Sequence, residues 1–438
     1  MEAETPKSVK IRNLAGFWIL GLTNNFAYVV MLSAAHDILK DADKGNGTFS
    51  NVTTEVPPTT EPGNHSVPLI PDCNKIGTGA ILLADILPTL FVKLTAPFYM
   101  HLIPYSIRVI AIVLFGAASF PVVALSHATW LSLLGVVFAS IGAGLGEITF
   151  LSLSSFFEKN VVSTWSSGTG AAGVFGALSY AGLTAAGVGP RNTLLIMLII
   201  PIIMAISYFV LLVKPQKVGS MICAEEENLP ILLSIDSEDD ESEEEPPPAV
   251  EISSGGGQAG ENVQKSISER FALILPLLKY MVPLGLVYTA EYFINQALFE
   301  LIVFQHIWLP KQQQYRWYQV IYQVGVFISR SSVNLFQVHK LWLLPILQFV
   351  NIAVLVCQIF FGFLPSIWLV FLFIIWEGLL GGCAYVNTFY KISQEVHNKQ
   401  DLEFSMGVAS VADSAGITLA GVISVPVHNL FCDLKKYN

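Results

Sequence analysis

An all-α polytopic membrane protein with two pseudo-symmetric helical bundles and about 11 transmembrane helices is the fold class this sequence predicts. Three observations carry that expectation. Hydrophobic residues make up 53% of 438 and charged residues only 13%, with a mean hydropathy of +0.58, too apolar for a soluble protein of this size. The apolarity comes in runs of about 20 residues, the length that crosses a bilayer as a helix. The two halves also share motifs at a constant offset of six runs, as a duplicated bundle would.

The net charge of −10 is confined to one stretch, because residues 214–270 hold fourteen acidic and four basic residues and the rest is neutral overall. Five cysteines (Cys73, Cys223, Cys357, Cys383, Cys432) lack paired or metal-type spacing, so neither a disulfide framework nor a metal site is indicated. A Cys73–Cys432 bridge would need both on one oxidising side. No nucleophile elbow, metal cluster or phosphate-binding glycine loop is present, so the expectation is a protein that is not an enzyme and needs no cofactor. With no basic patch, nucleic acid is not an expected partner.

The chain begins with a short basic tail, residues 1–13, in which Lys7, Lys10 and Arg12 place the N-terminus in the cytosol. Residues 14–213 read as a six-helix bundle with runs at 14–35, 76–99, 107–126, 130–152, 166–188 and 192–213. The first run is a retained helix, since a signal peptide has a shorter apolar core and a small-residue cleavage site. Residues 36–75 form a polar loop with three sequons, at Asn46, Asn51 and Asn64, whose clustering makes the loop lumenal and glycosylated. Residues 214–271 read as a disordered acidic cytosolic linker, with the run Asp236–Glu245 followed by Pro246–Pro248 and Gly255–Gly257. Within it, Glu227 ahead of Leu232 and Leu233 resembles an acidic dileucine sorting signal, which makes a sorting adaptor a candidate partner. Residues 272–431 read as a five-helix bundle with runs at 280–305, 315–335, 341–362, 366–390 and 404–430, followed by a tail at 432–438. The odd total puts the C-terminus in the lumen; Lys435 and Lys436 argue for the other side.

Three correspondences make the repeat. Gly142-Ala-Gly-Leu-Gly-Glu-Ile-Thr-Phe150 in the fourth run matches Gly378-Leu-Leu-Gly-Gly-Cys-Ala-Tyr-Val-Asn-Thr-Phe389 in the tenth. Ser166-Ser-Gly-Thr-Gly-Ala-Ala-Gly in the fifth matches the eleventh, with Ser405-Met-Gly-Val-Ala-Ser and Asp413-Ser-Ala-Gly416. Asn24-Asn25-Phe26 in the first falls on Glu291-Tyr292-Phe293 in the seventh. Two parallel bundles of six and five helices follow, the major facilitator arrangement in which the substrate site lies between the halves.

Several segments closely resemble the battenin family, the proteins of juvenile neuronal ceroid lipofuscinosis. They are Val29-Val-Met-Leu-Ser-Ala-Ala-His-Asp-Ile38, Leu83-Ala-Asp-Ile-Leu-Pro-Thr89, Trp165-Ser-Ser-Gly-Thr-Gly170, Ala290-Glu-Tyr-Phe-Ile-Asn-Gln296, Gln314-Tyr-Arg-Trp-Tyr-Gln319, Ser329-Arg-Ser-Ser332, Phe361-Gly-Phe-Leu-Pro-Ser366 and Glu377-Gly-Leu-Leu-Gly-Gly382. The resemblance covers nearly all the apolar chain and fails in the N-terminal tail, the sequon-bearing loop and the linker. It also departs at the end, where Cys432 is followed by six more residues instead of the prenylation-type terminus of mammalian members. The resemblance implies a lysosomal and late endosomal membrane protein needed to clear glycerophosphodiesters. The leading expectation is a solute carrier exporting such compounds by alternating access. A proton-linked carrier of basic amino acids, or a non-transporting scaffold for endosome-lysosome trafficking and pH homeostasis that works through the linker, are the alternatives.

A zwitterionic or anionic substrate needs a cation, an anion or aromatic cage, and amides. Glu291 leads the candidates, because a carboxylate in a membrane span must be useful or paired. It binds a substrate's ammonium, titrates, or closes the bundle by pairing with Arg330. Asn295 shares its helix face, while Tyr292 is turned away by about 100°. Arg330 is the natural phosphate partner or else snorkels to the membrane surface. Asn24 and Asn25 contact substrate or bond between helices. Glu147, Glu377, Asp85 and Asp413 are candidates for gating or proton coupling, and Pro88 is expected to bend its helix. His36 and His101 lie at membrane borders, and Trp165, Trp317 and Trp376 read as anchors or packing.

Overall fold

The computed structural model describes residues 6–45, 78–126, 128–214, 267–305 and 307–437. The sequons Asn46, Asn51 and Asn64, Cys73, Cys223, Glu227, Leu232, Leu233 and the acidic run lie outside them. The first half comprises α1 (Lys7–Gly45), α2 (Thr78–Tyr99), α3 (Tyr105–Ala124), α4 (Thr129–Ser154), α5 (Asn160–Ala185), α6 (Pro190–Ile196) and α7 (Ile199–Ile206), the last running into a π-turn at Ser207–Leu211. The second half comprises α8 (Ile267–Phe293), α9 (Lys311–Arg330), α10 (Leu343–Phe361), α11 (Ile367–Glu395), α12 (Lys399–Ala409) and α13 (Val411–Tyr437). A π-turn at Ile294–Leu298 and a 3₁₀ turn at Phe299–Leu301 end α8. With α6–α7 and α12–α13 each filling one run, every one of the eleven expected spans is occupied by helix. Two boundaries move: α1 continues through residues 36–45, expected as loop, and α8 begins at Ile267 inside the expected linker.

Local chemistry sets the helix ends. Pro104 and Pro310 precede α3 and α9, and Pro190 opens α6, where the missing N–H has no intrahelical partner to lose. Ser366 accepts from the Trp368 N–H at the start of α11, and Asn398 does the same for Gln400 at α12. Gly362, at φ +57°, closes α10 in the left-handed region that glycine adopts without strain. Inside α2, Pro88 has no N–H to give the ladder, and the neighbouring helix supplies hydrogen bonds beside it. Ser140 of α4 donates to the Asp85 carbonyl and accepts from the Thr89 N–H at 3.1 Å, while the Thr89 hydroxyl donates to the Ser140 carbonyl at 2.8 Å.

Nine of the described helical segments are long and apolar enough to cross a membrane. The two remaining membrane-length helices, α5 and α9, are the polar ones, and they pack on one another between the halves, where polarity need not face lipid. Further contacts between halves join α2 to α13, α12 to α4 and α2, and α11 to α5. Within the halves, α1 packs on α5 and α4, and α8 packs on α13 and α11.

Small residues make these crossings, and they do so equivalently in the two halves. A Cβ on Gly168 of α5 would strike the Trp18 carbonyl of α1, and one on Gly416 of α13 would strike the Gly285 carbonyl of α8. A Cβ on Gly146 of α4 would overlap the Asn24 amide, and one on Gly381 of α11 would overlap the Glu291 carboxylate. The repeat read in the sequence is thus a repeat of interlocking pairs, a polar knob on the first helix of each half entering a glycine notch on the fourth.

Candidate functional site

Two ionic clusters are buried where the halves meet. In the first, Lys93 of α2 is 1% exposed, and its ammonium lies 2.6 Å from Glu147 Oε2 on α4 and 2.9 Å from Asp413 Oδ1 on α13. Lys93 and Glu147 come from the first half and Asp413 from the second, so one ammonium ties the halves together. The Tyr385 hydroxyl of α11 donates to Glu147 Oε1 at 2.7 Å, and the Trp165 indole of α5 donates to Tyr385 at 3.4 Å. Removing one member of such a buried set leaves uncompensated charge at a cost of about 3–5 kcal/mol.

The second cluster centres on Arg330, the last residue of α9. It does not snorkel: it is 8% exposed, its Nη1 donates to Thr169 of α5 at 2.6 Å and its Nη2 to the Tyr288 hydroxyl of α8 at 2.7 Å. Its guanidinium carbon sits 4.0 Å from the Tyr385 ring centroid, a cation–π contact that joins the two clusters. Tyr288 stacks on Tyr292 with ring centroids 6.0 Å apart, and Tyr292 faces Tyr28 of α1. Tyr292, turned from the Glu291 face in the helical wheel, is therefore one of the residues of its helix that meet the first half, as Phe271 does at Phe98 of α2.

Glu291 itself points into its own half. It is 2% exposed, its Oε1 accepts from the Tyr322 hydroxyl of α9, and it lies against Gly381 of α11. The expectation that its carboxylate lines the space between bundles is corrected here: a carboxylate directed into the glycine notch of α11 cannot also face α1. No ion pair joins it to Arg330, whose terminal nitrogens are taken by Thr169 and Tyr288. Asn295 stands on the same side, donating to the Glu291 carbonyl at 3.0 Å and to Glu377 Oε1 at 3.4 Å. In the first half, Asn24 donates to the Ala143 carbonyl and to Asn25 Oδ1, both at 3.1 Å. Asp85 is 1% exposed with neither carboxylate oxygen hydrogen-bonded.

Sequence reasoning passed over Lys93, Tyr288, Tyr322, Tyr385 and Thr169. For Lys93 the signal was available, a lone ammonium in the middle of the apolar run Pro88–Pro97, subject to the same reasoning that singled out Glu291. The tyrosines carry no such mark, since aromatic residues are ordinary in membrane helices.

Fold and interface define a class, a multi-pass membrane protein with the major facilitator fold. The crystal structure of the human organic anion transporter MFSD10 (TETRAN) aligns with 99% of this chain and 98% of its own, at a TM-score of 0.57 and 11% identity, a likeness of fold. The family model described as CLN3 protein matches residues 15–434. The chain is 49% identical to Battenin of Canis lupus familiaris over 424 residues, covering 97% of this chain and 92% of the relative. It is 36% identical to Protein btn1 of Aspergillus fumigatus over 446 residues, covering 96% and 88%. The chain belongs to the CLN3 protein family.

Proposed function

We propose that the protein is a lysosomal and late endosomal solute carrier that exports glycerophosphodiesters by alternating access, with its N-terminus in the cytosol. The observation that carries this reading is the pair of cations, Lys93 and Arg330, buried between the halves beside Glu147, Asp413 and a group of tyrosines. Such a site offers a bidentate donor for a phosphodiester and carboxylates or ring faces for a choline or ethanolamine head. Arg330 and Tyr292 are the substrate contacts, with Asn24 and Asn25 beside them and Glu291 and Asn295 supporting them from within the second half. Glu147 and Asp413 act as the gate through Lys93, and Asp85 and Glu377 as proton carriers.

The halves are tied at the end that bears the N-terminus. There Tyr105 donates to Glu403, Lys159 to Gln394 at 2.7 Å, and Asn334 to Ser163 at 3.1 Å. These ties fit a state closed toward the cytosol. The surplus of acids over bases among the buried groups favours a second reading, proton-linked export of basic amino acids.

Purified protein in liposomes is expected to take up labelled glycerophosphocholine, and Arg330→Ala or Glu291→Gln to abolish uptake while the protein stays folded. Uptake no greater than that of empty liposomes, at neutral and acidic lumenal pH alike, would overturn the reading; competition by arginine would favour the second one. Leu232 and Leu233 are retained as adaptor contacts and Asn46, Asn51 and Asn64 as glycan acceptors, which a glycosidase mass shift tests.

A further inference from the structure

The junction of α8, α9 and α11 contains more hydrogen-bond acceptors than donors. Glu291 and Glu377, 2% and 0% exposed, both lie in it, and Asn295 Nδ2 donates to the backbone carbonyl of the first and to the carboxylate of the second. The donors are the Tyr322 hydroxyl and the Asn295 Nδ2. Three acceptor atoms in residues at most 2% exposed, Glu291 Oε2, Glu377 Oε2 and Asn295 Oδ1, accept nothing. Buried polar atoms are nearly always hydrogen-bonded, so three orphans of one kind in one place mark the absence of something that is positive or donates.

Charge counting gives the same answer. Among the described residues neither carboxylate forms an ion pair. The cation that faces Glu291 is Arg330, and Glu377 faces only Glu291. Tyr288, Tyr292 and Tyr322 are the other titratable neighbours from α8 and α9. Two carboxylates against one guanidinium, which Glu147 shares, leave at least one negative charge uncompensated in a buried site. Asn295 stands in the π-turn at Ile294–Leu298, where its side chain donates to the Glu291 carbonyl one turn back.

We infer that Glu291, Glu377 and Asn295 form a binding site for one small monovalent cation, a proton shared by the two carboxylates or a sodium ion in their place. The site lies within the second half, apart from Lys93 and Asp413, and the inference is read on binding alone, whatever solute is carried. The equivalent knob of the first half is the neutral Asn24.

The test uses the purified full-length protein and dicyclohexylcarbodiimide, which couples to protonated carboxyl groups in apolar surroundings. Adducts at Glu291 and Glu377 are read by peptide mass spectrometry at mildly acidic and neutral pH, in choline chloride and in sodium chloride, with the thermal midpoint measured alongside. A bound proton gives an adduct at one of the pair, stronger in acid and indifferent to sodium. Because the folded state then holds a proton that the unfolded chain has lost, the midpoint rises as pH falls toward the ordinary glutamate range of about 4.3. A bound sodium ion gives an adduct in choline that falls several-fold in sodium, and a midpoint raised by sodium and not by potassium. Glu377→Gln removes whichever dependence the wild type has. The inference is overturned if neither carboxyl is labelled and the midpoint ignores sodium, or if Glu377→Gln responds to pH and sodium as the wild type does. The labelling arm needs no variant, so a Glu377→Gln protein that failed to fold would leave the test intact.

Discussion

Asn24 and Glu291 occupy equivalent places in the two halves, each a polar knob on a first helix set into a glycine notch on a fourth, Gly146 and Gly381. Their surroundings differ in kind. The Asn24 amide donates to the Ala143 carbonyl and to Asn25, a neutral arrangement that latches α1 to α4. Glu291 has a tyrosine donor and a second carboxylate nearby, although each knob leaves one buried oxygen without a partner, Asn24 Oδ1 and Glu291 Oε2. Duplication preserved the shape of the joint while the chemistry diverged. One joint is a fastener, and the other carries a charge that its own half does not neutralise.

The comparison can be broken most decisively by moving the charge. Asn24→Asp puts a carboxylate into a notch with no tyrosine donor, and a loss of about 3–5 kcal/mol in stability is expected from an unpaired buried charge. A thermal or denaturant midpoint close to wild type would mean that the first notch also tolerates an anion. Next come the notches themselves. Gly146→Ala and Gly381→Ala should each cost about 1–3 kcal/mol through overpacking, and each loss should shrink when the opposing knob is cut back, in Gly146→Ala/Asn24→Ala and Gly381→Ala/Glu291→Ala. Non-additivity confined to one half would show that only one joint interlocks as described.

Smaller effects sharpen the chemical difference. Tyr322→Phe removes the donor to Glu291, and a hydrogen bond to a charged group is worth about 1.5–3 kcal/mol. Asn25→Ala removes a neutral partner of Asn24, for about 0.5–1.5 kcal/mol. Equal losses in these two variants would argue that Glu291 is as neutral as Asn24. The exposed pair Lys279–Glu395, with side chains 58% and 52% accessible, sets the floor: Lys279→Ala should change stability by at most about 1 kcal/mol.

Span positions were legible because bilayer thickness imposes a length that apolar runs report directly. The repeat was legible through glycine, since close crossings at Gly168, Gly416, Gly146 and Gly381 restrict those positions to the smallest residue. Direction was harder to read. A carboxylate in a span announces that it is buried but not which neighbour it faces, and for Glu291 the answer depended on a notch 90 residues further along the chain. The helical wheel separated Tyr292 from Glu291 correctly in angle; which of them met the other half was fixed by the packing of α8 against α11 and α13, which no local pattern encodes. Lys93 was legible in principle, but its partners on α4 and α13 lie 54 and 320 residues away, and only the assembled interface brings them together.

The pairing of α5 with α9 has a consequence for how the chain is made. Both helices carry Ser, Thr, Gln or Arg at positions that only the opposite half covers. During synthesis α5 emerges well before α9, with the acidic segment and α8 still to come. For that interval its polar face has no partner in the second half and must be sheltered by α1, by the insertion machinery or by water at the membrane surface. The order of synthesis therefore sets a waiting period that ends when Arg330 reaches Thr169, and variants that weaken that meeting should be recognised by quality control before they are ever measured as carriers.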